Sequence, residues 1–122
     1  MASLGIDMIE IARVRHAFRR YGDRFLARIF TPAEIAYCAR RRDPAPSLAA
    51  RFAAKEAFAK AAPAGADPRW REVEVVMDAG ADGVSKPGLH ISPRLAALVG
   101  ERPILVSLTH SRDLAMAAVI IT

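Results

Sequence analysis

Helical patterns crowd the first half of this chain and strand patterns the second. That order argues for an α+β fold, with helices packed on a small antiparallel sheet, and against a repeated βαβ unit. Ser3-Leu-Gly-Ile-Asp-Met8 reads as a short first strand, followed by a helix from about Ile9 to Tyr21. Ile11, Val14, Phe18 and Tyr21 form its apolar stripe, and Gly22 stops it. Arg24 to Phe30 reads as a short turn. Thr31-Pro32-Ala33-Glu34 then carries the signature of a capping box, with proline at the first helical position. The helix it opens should run to about Arg41. Asp43-Pro44-Ala45-Pro46 breaks the chain, and Ser47 is placed to cap a helix over 48–62. Pro63 to Pro68 forms a loop. Alternation from Trp70 to Asp78 predicts a strand, the Gly80–Gly83 region a turn, and a second strand runs through about Ile91. Ser92-Pro93 opens a short helix to about Val99. Strands Ile104–Thr109 and Leu114–Ile121 flank a turn at Ser111-Arg112-Asp113, which suggests an antiparallel hairpin.

The helix over 48–62 holds the most informative stretch. Residues 51–60 read Arg-Phe-Ala-Ala-Lys-Glu-Ala-Phe-Ala-Lys, without Gly or Pro. One carboxylate, Glu56, stands among Arg51, Lys55 and Lys60. Glu56 and Lys60 are four apart and share a helix face. An acid among bases on a rigid helix can hold a cation and a phosphate together, or can be a solvated ion pair. The chain has no internal repeat or long linker, so residues 1–122 read as a single domain. Hydrophobic residues make up 52% and charged ones 25%, a globular balance. No apolar run approaches the ~20 residues of a membrane span. Cys38 is the only cysteine and the N-terminus lacks signal-peptide character, so a reducing cytoplasm is the expected compartment. A net charge of +5 favours a polyanionic partner without choosing one.

Asp7 sits in an otherwise apolar strand. It is either a metal ligand at a strand end or a cap for the following helix, with Glu10 completing a box. Glu56 is either an exposed partner of Lys60 or half of a metal site that needs a second carboxylate, for which Asp7 is the candidate. Two carboxylates suit Mg²⁺, which prefers oxygen ligands and keeps waters that substrate phosphates can replace. Six arginines fall between Arg13 and Arg28 against one acid, Asp23. Arg13 and Arg20 share a face off the apolar stripe, either as a solvated surface or as a dock for an acidic partner. The histidines have no zinc-type spacing. His110 follows Val106-Ser-Leu-Thr109 in a polar turn that could donate to a phosphate. No glycine-rich phosphate loop or Gly-x-Ser-x-Gly elbow is present.

Gly5-Ile-Asp-Met-Ile-Glu-Ile11 resembles the opening motif of the holo-acyl-carrier-protein synthases, the small 4′-phosphopantetheinyl transferases. Arg51 to Ala61 resembles their second motif residue for residue, and Phe30-Thr-Pro-Ala-Glu34 is similar to the Phe-Thr-x-x-Glu segment between them. Lys86-Pro87 resembles a Gly-Lys-Pro element, with Ser85 in place of the glycine. Val106 to His110 and the Ala-rich last strand resemble the C-terminal hairpin. After Lys60-Ala61 the family usually carries a Gly-x-Gly loop, and here it reads Ala62-Pro63-Ala64-Gly65.

The resemblance implies transfer of the 4′-phosphopantetheine arm of coenzyme A to a serine of an apo acyl carrier protein, releasing adenosine 3′,5′-bisphosphate. It implies a 4′-phosphopantetheinyl transferase-like α+β fold, and a homotrimer with sites between subunits. Asp7 and Glu56 match the metal-binding carboxylates, with Mg²⁺ as the cofactor. Lys60 would stabilise the departing phosphate, and Glu56 is the candidate base. His110, Thr109, Lys86 and Pro87 would contact the nucleotide. Arg51 and Lys55 would add to phosphate binding or be structural. Arg13, Arg20 and Arg24 would steer the acidic carrier. A nucleic-acid-binding module is the competing reading of the charge, but few aromatics and no binding motif speak against it. A silent scaffold would need a damaged carboxylate pair, and both acids are present.

Overall fold

A computed structural model describes residues 1–122. Strand β1 (Ser3–Glu10) leads directly into helix α1 (Ile11–Tyr21), followed by α2 (Asp23–Ile29), α3 (Pro32–Ala39) and α4 (Ala45–Ala61). A 3₁₀ turn at Trp70–Glu72 opens strand β2 (Val73–Ala79), which turns back as β3 (Ser85–Ile91). Helix α5 (Pro93–Val99) and the hairpin β4 (Ile104–His110) and β5 (Leu114–Ile121) complete the α+β order. The antiparallel strands form two sheets: β1-β5-β4, with β5 central, and a separate β2-β3 ladder. The expected C-terminal hairpin is present, in register Thr109 to Met116 and His110 to Ala115.

Helix α4 forms the centre of the molecule because its side chains are small. Ala53, Ala54 and Ala57 are fully buried, and Phe58 is sealed beside them. On the facing side, Ala117, Val119 and Ile121 of β5 complete this core. A second core gathers Ile11 and Val14 of α1, Leu26 and Ile29 of α2, and Phe30 around the first turns of α4. The approach of β1 to α4 is close enough to require glycine. A Cβ on Gly5 would stand 1.9 Å from the carbonyl oxygen of Ala57. Ser3 reinforces this seam by donating to the carbonyl of Ala61 at 2.6 Å. The seam brings the rest of β1 alongside the last turns of α4.

Several sequence expectations change. Residues 23–29 form a helix rather than a turn. Gly22, at φ 59°, bends the chain between α1 and α2, and Leu26 and Ile29, three apart, seat the short helix in the core. Helix α4 starts at Ala45 rather than 48, and Ser47 does not cap it. Pro46 is tolerated in a first turn, where its missing N–H costs nothing, and Asp43 Oδ1 accepts from the Ala45 N–H at 3.2 Å. The capping box at Thr31–Glu34 is present as expected. Strand β1 runs past Asp7 to Glu10, so Asp7 caps no helix, and α1 begins without a side-chain cap. No helix is long and apolar enough to cross a membrane.

Candidate active site

Alternation along β1 sends Gly5, Asp7 and Ile9 toward the helices and Leu4, Ile6 and Met8 outward. With Gly5 pressed on α4, Asp7 meets the last two turns of that helix. Lys60 Nζ donates to Asp7 Oδ1 at 3.2 Å and to the Ile6 carbonyl at 2.8 Å. The Asp7 side chain is largely covered, at 18% exposure, whereas that of Lys60 is open at 54%. Glu56 lies one turn before Lys60 and is half-buried. Burial raises its carboxyl above the ordinary glutamate range, the Asp7 charge raises it further, and Lys60 opposes both. The structure therefore gathers Asp7, Glu56 and Lys60, which are distant in sequence or one helical turn apart. Glu56 also lines a cavity of about 220 Å³, whose far wall comes from Asp67, Arg69 and Trp70.

Lys55, the neighbour of Glu56, also borders this cavity, but it is 2% exposed and its ammonium is turned to protein acceptors. Its ammonium donates to Glu34 Oε1 at 2.8 Å, to the Trp70 carbonyl at 3.0 Å and to the Val73 carbonyl at 2.5 Å. All three of its donors are spent within the protein. Glu34 is equally committed, accepting from the backbone N–H groups of Thr31 and Val75 at 2.9 Å. Burial pulls the Lys55 ammonium below the ordinary lysine range, and Glu34 opposes that. While these three bonds hold, Lys55 has no N–H left for a phosphate.

A second cavity, of about 180 Å³, gathers Arg51, Thr109 and His110 with Tyr37 and Arg41. Arg51 is 3% exposed; it donates from Nη1 to the Ser47 carbonyl at 3.3 Å and lies over the Tyr37 ring at 4.5 Å. Its Nε is buried without a hydrogen-bond partner. His110 is exposed at the end of β4, its Nδ1 3.4 Å from the Ser111 carbonyl. Lys86 and Pro87 stand on β3 opposite Asp78 and Met77, and neither is hydrogen-bonded to the carboxylate pair. Arg13, Arg20 and Arg24 are exposed on α1 and α2. Arg24 borders a groove of about 590 Å³ with Tyr21, Phe25, Arg28 and Trp70. Sequence reasoning missed Glu34 as the partner of Lys55, and Tyr37, Arg41 and Trp70 as cavity walls. Only the capping-box position of Glu34 was legible, since 21 residues separate it from Lys55.

The residues that could hold a cation are Asp7 and Glu56. No third His, Cys, Asp or Glu joins them, so protein alone would fill only part of a coordination shell. Two hard carboxylates fit Mg²⁺, which retains waters and binds with few protein ligands.

Comparison with known proteins shows the family and the fold. A family model described as the 4′-phosphopantetheinyl transferase superfamily matches residues 3–115. A holo-[acyl-carrier-protein] synthase of Chlamydia muridarum is 43% identical over 122 residues, covering 98% of this chain and 94% of that one. Among solved structures, the holo-[acyl-carrier-protein] synthase of Neisseria meningitidis superimposes with a TM-score of 0.82 at 31% identity, over 98% of this chain and 97% of that one. A Bacillus anthracis holo-(acyl-carrier-protein) synthase in complex with CoA (3′,5′-ADP) superimposes with a TM-score of 0.76 at 31% identity, over 98% and 94%.

Proposed function

This chain belongs to the 4′-phosphopantetheinyl transferase superfamily as a member of the holo-[acyl-carrier-protein] synthases, and we propose that residues 1–122 act as one Mg²⁺-dependent transferase unit. The reaction moves 4′-phosphopantetheine from coenzyme A to a serine hydroxyl of an apo acyl carrier protein. A P–O bond forms to the serine oxygen, the bond to the nucleotide phosphate breaks, and adenosine 3′,5′-bisphosphate leaves. The observation that carries this reading is the meeting of Asp7, Glu56 and Lys60 across the β1–α4 seam.

Asp7 and Glu56 would hold the cation, which when bound supplies positive charge to the pyrophosphate and the attacked phosphorus. Lys60 is exposed on the same helix face, and its ammonium can stabilise charge building on the departing phosphate. Glu56 Oε is the candidate acceptor of the serine proton. Arg51, Arg41, Thr109 and His110 line a cavity whose cations suit a nucleotide phosphate. Lys86 and Pro87 are assigned to the same nucleotide from the neighbouring subunit.

A homotrimer is part of the proposal. The outward face of the three-stranded sheet exposes Leu4, Ile6, Met8, Leu105 and Met116, an apolar set unusual for a surface left in water. Covering it with copies of itself would seat sites between subunits. The exposed arginines of α1 and α2 suit an acidic carrier protein. The buried free thiol of Cys38 is compatible with a reducing cytoplasm.

Intact-mass measurement of apo carrier proteins incubated with coenzyme A and Mg²⁺ tests the proposal. Gain of one phosphopantetheine mass, lost on chelation, is expected. No gain on any acidic apo carrier, with steeply salt-dependent binding to DNA or RNA instead, would favour the nucleic-acid alternative.

A further inference from the structure

The cavity that holds Glu56 has one wall on a regular helix and the other on the segment after Pro63, which belongs to no sheet or long helix until Val73. Such a segment needs fixing if the space opposite Glu56 is to keep its width. Two cations do this. Arg94 donates to the carbonyls of Ala66 at 2.8 Å and Asp67 at 3.1 Å while paired with Glu72. Lys55 donates to the carbonyls of Trp70 and Val73 from inside the core. The Trp70 indole then stacks on Phe52 of α4, with centroids 4.9 Å apart and planes at 25°. Trp70 is the one residue common to the Glu56 cavity and the groove that Arg24, Phe25 and Arg28 border.

We propose that Lys55 is a positioning residue for transfer: paired with Glu34, it pins the backbone at Trp70 and Val73 so that Trp70 forms the shared wall between the arginine groove and the Glu56 cavity. The wall sets the path by which a serine-bearing segment seated among the arginines reaches Glu56. This rests on the proposed transferase activity. It explains why a lysine beside the reactive acid spends every donor on protein acceptors. A pair kept for stability alone could be exchanged for uncharged groups of similar shape at little cost.

The test uses the full-length Lys55→Met/Glu34→Gln double variant, which removes both charges together so that neither is left unpaired. Trp70 is the only tryptophan, so its fluorescence reports the wall without reference to activity. We expect a cooperative melt, acrylamide quenching raised about 3-fold, and kcat with the carrier lowered about 10-fold or more at a KM for coenzyme A within about 2-fold of wild type. Wild-type quenching in the folded double variant overturns the proposal, because the wall then stands without Lys55. A wild-type kcat overturns it too. Should the double variant not fold, Trp70→Ala decides instead. It keeps the backbone carbonyl that Lys55 holds, so an unchanged kcat refutes the role of the wall and a matching fall supports it. If wild-type protein transfers nothing, the transferase reading fails, and the quenching arm still decides whether Lys55 fixes Trp70.

Discussion

Lys55 and Glu56 are neighbours on one helix and border the same cavity, yet their charged groups meet different surroundings. Lys55 faces the core and joins Glu34 in a sealed pair in which every polar group is matched. Glu56 faces the β1 seam, where its carboxylate meets Asp7, a like charge, and a half-open Lys60. Both regions are charged, and only one is balanced. A balanced buried network fixes geometry, because its members have nothing left to bind. An unbalanced one carries an electrostatic cost that a bound cation can relieve. The division follows from helix geometry: adjacent residues lie about 100° apart around the axis, enough to send one inward and the other toward solvent.

The largest test of this division removes the unbalanced acids. Asp7→Ala and Glu56→Ala should each lower phosphopantetheine transfer by about 10³-fold or more while leaving the melting temperature near wild type. The comparison breaks if either keeps full rate. Next, Glu34→Ala should cost about 3–5 kcal/mol in denaturant unfolding, because it leaves the Lys55 ammonium buried and unpaired. An unchanged midpoint would show that the pair is less sealed than its geometry. Charge reversal at Arg13, Arg20 and Arg24 should touch neither region. It should raise KM for the carrier about 10-fold with kcat nearly constant, an effect that salt reproduces in wild type. A change in kcat instead would place these arginines nearer the chemistry.

The smallest test concerns pH. The Glu56 carboxyl is raised in the folded chain, so folding favours its neutral form. Its charge therefore costs stability at neutral pH, and the cost fades as pH falls through the raised value toward that of an ordinary glutamate. Glu56→Gln should melt higher than wild type at neutral pH, on the order of 2 °C, and the gap should close in acid. Mg²⁺ with coenzyme A should raise the wild-type melt and leave Glu56→Gln nearly unmoved. A gap that widens in acid would contradict the sign.

The element order, the capping box at Thr31 and the C-terminal hairpin were all legible from local pattern, because each rests on residues a few positions apart. Helix α2 was not, since seven residues make only about two turns, too few to establish a helical period. The start of α4 was hidden by two prolines that usually signal a break but are harmless in a first turn. In the candidate site, Asp7 and Glu56 could be paired only through resemblance to a family, because no local rule joins positions nearly fifty apart. Gly5 holds the physical reason they meet, and a lone glycine in a strand does not announce a helix pressed against it. The role of Lys55 was equally illegible. Among Arg51, Glu56 and Lys60 it reads as a phosphate-binding or a structural cation, and only the bonds to Glu34 and the carbonyls of Trp70 and Val73 show where its ammonium goes.

Glu56 belongs to the proposed metal-supported transfer site, and its neighbour Lys55 to the wall beside it. Titrating Mg²⁺ against the rate of phosphopantetheine gain on an apo carrier, followed by intact mass for wild type and Glu56→Gln side by side, tests it most directly. A saturable Mg²⁺ dependence is expected in wild type, and in Glu56→Gln a rate at least about 100-fold lower that added Mg²⁺ does not restore. A Glu56→Gln protein with the wild-type rate and the wild-type Mg²⁺ dependence would contradict it.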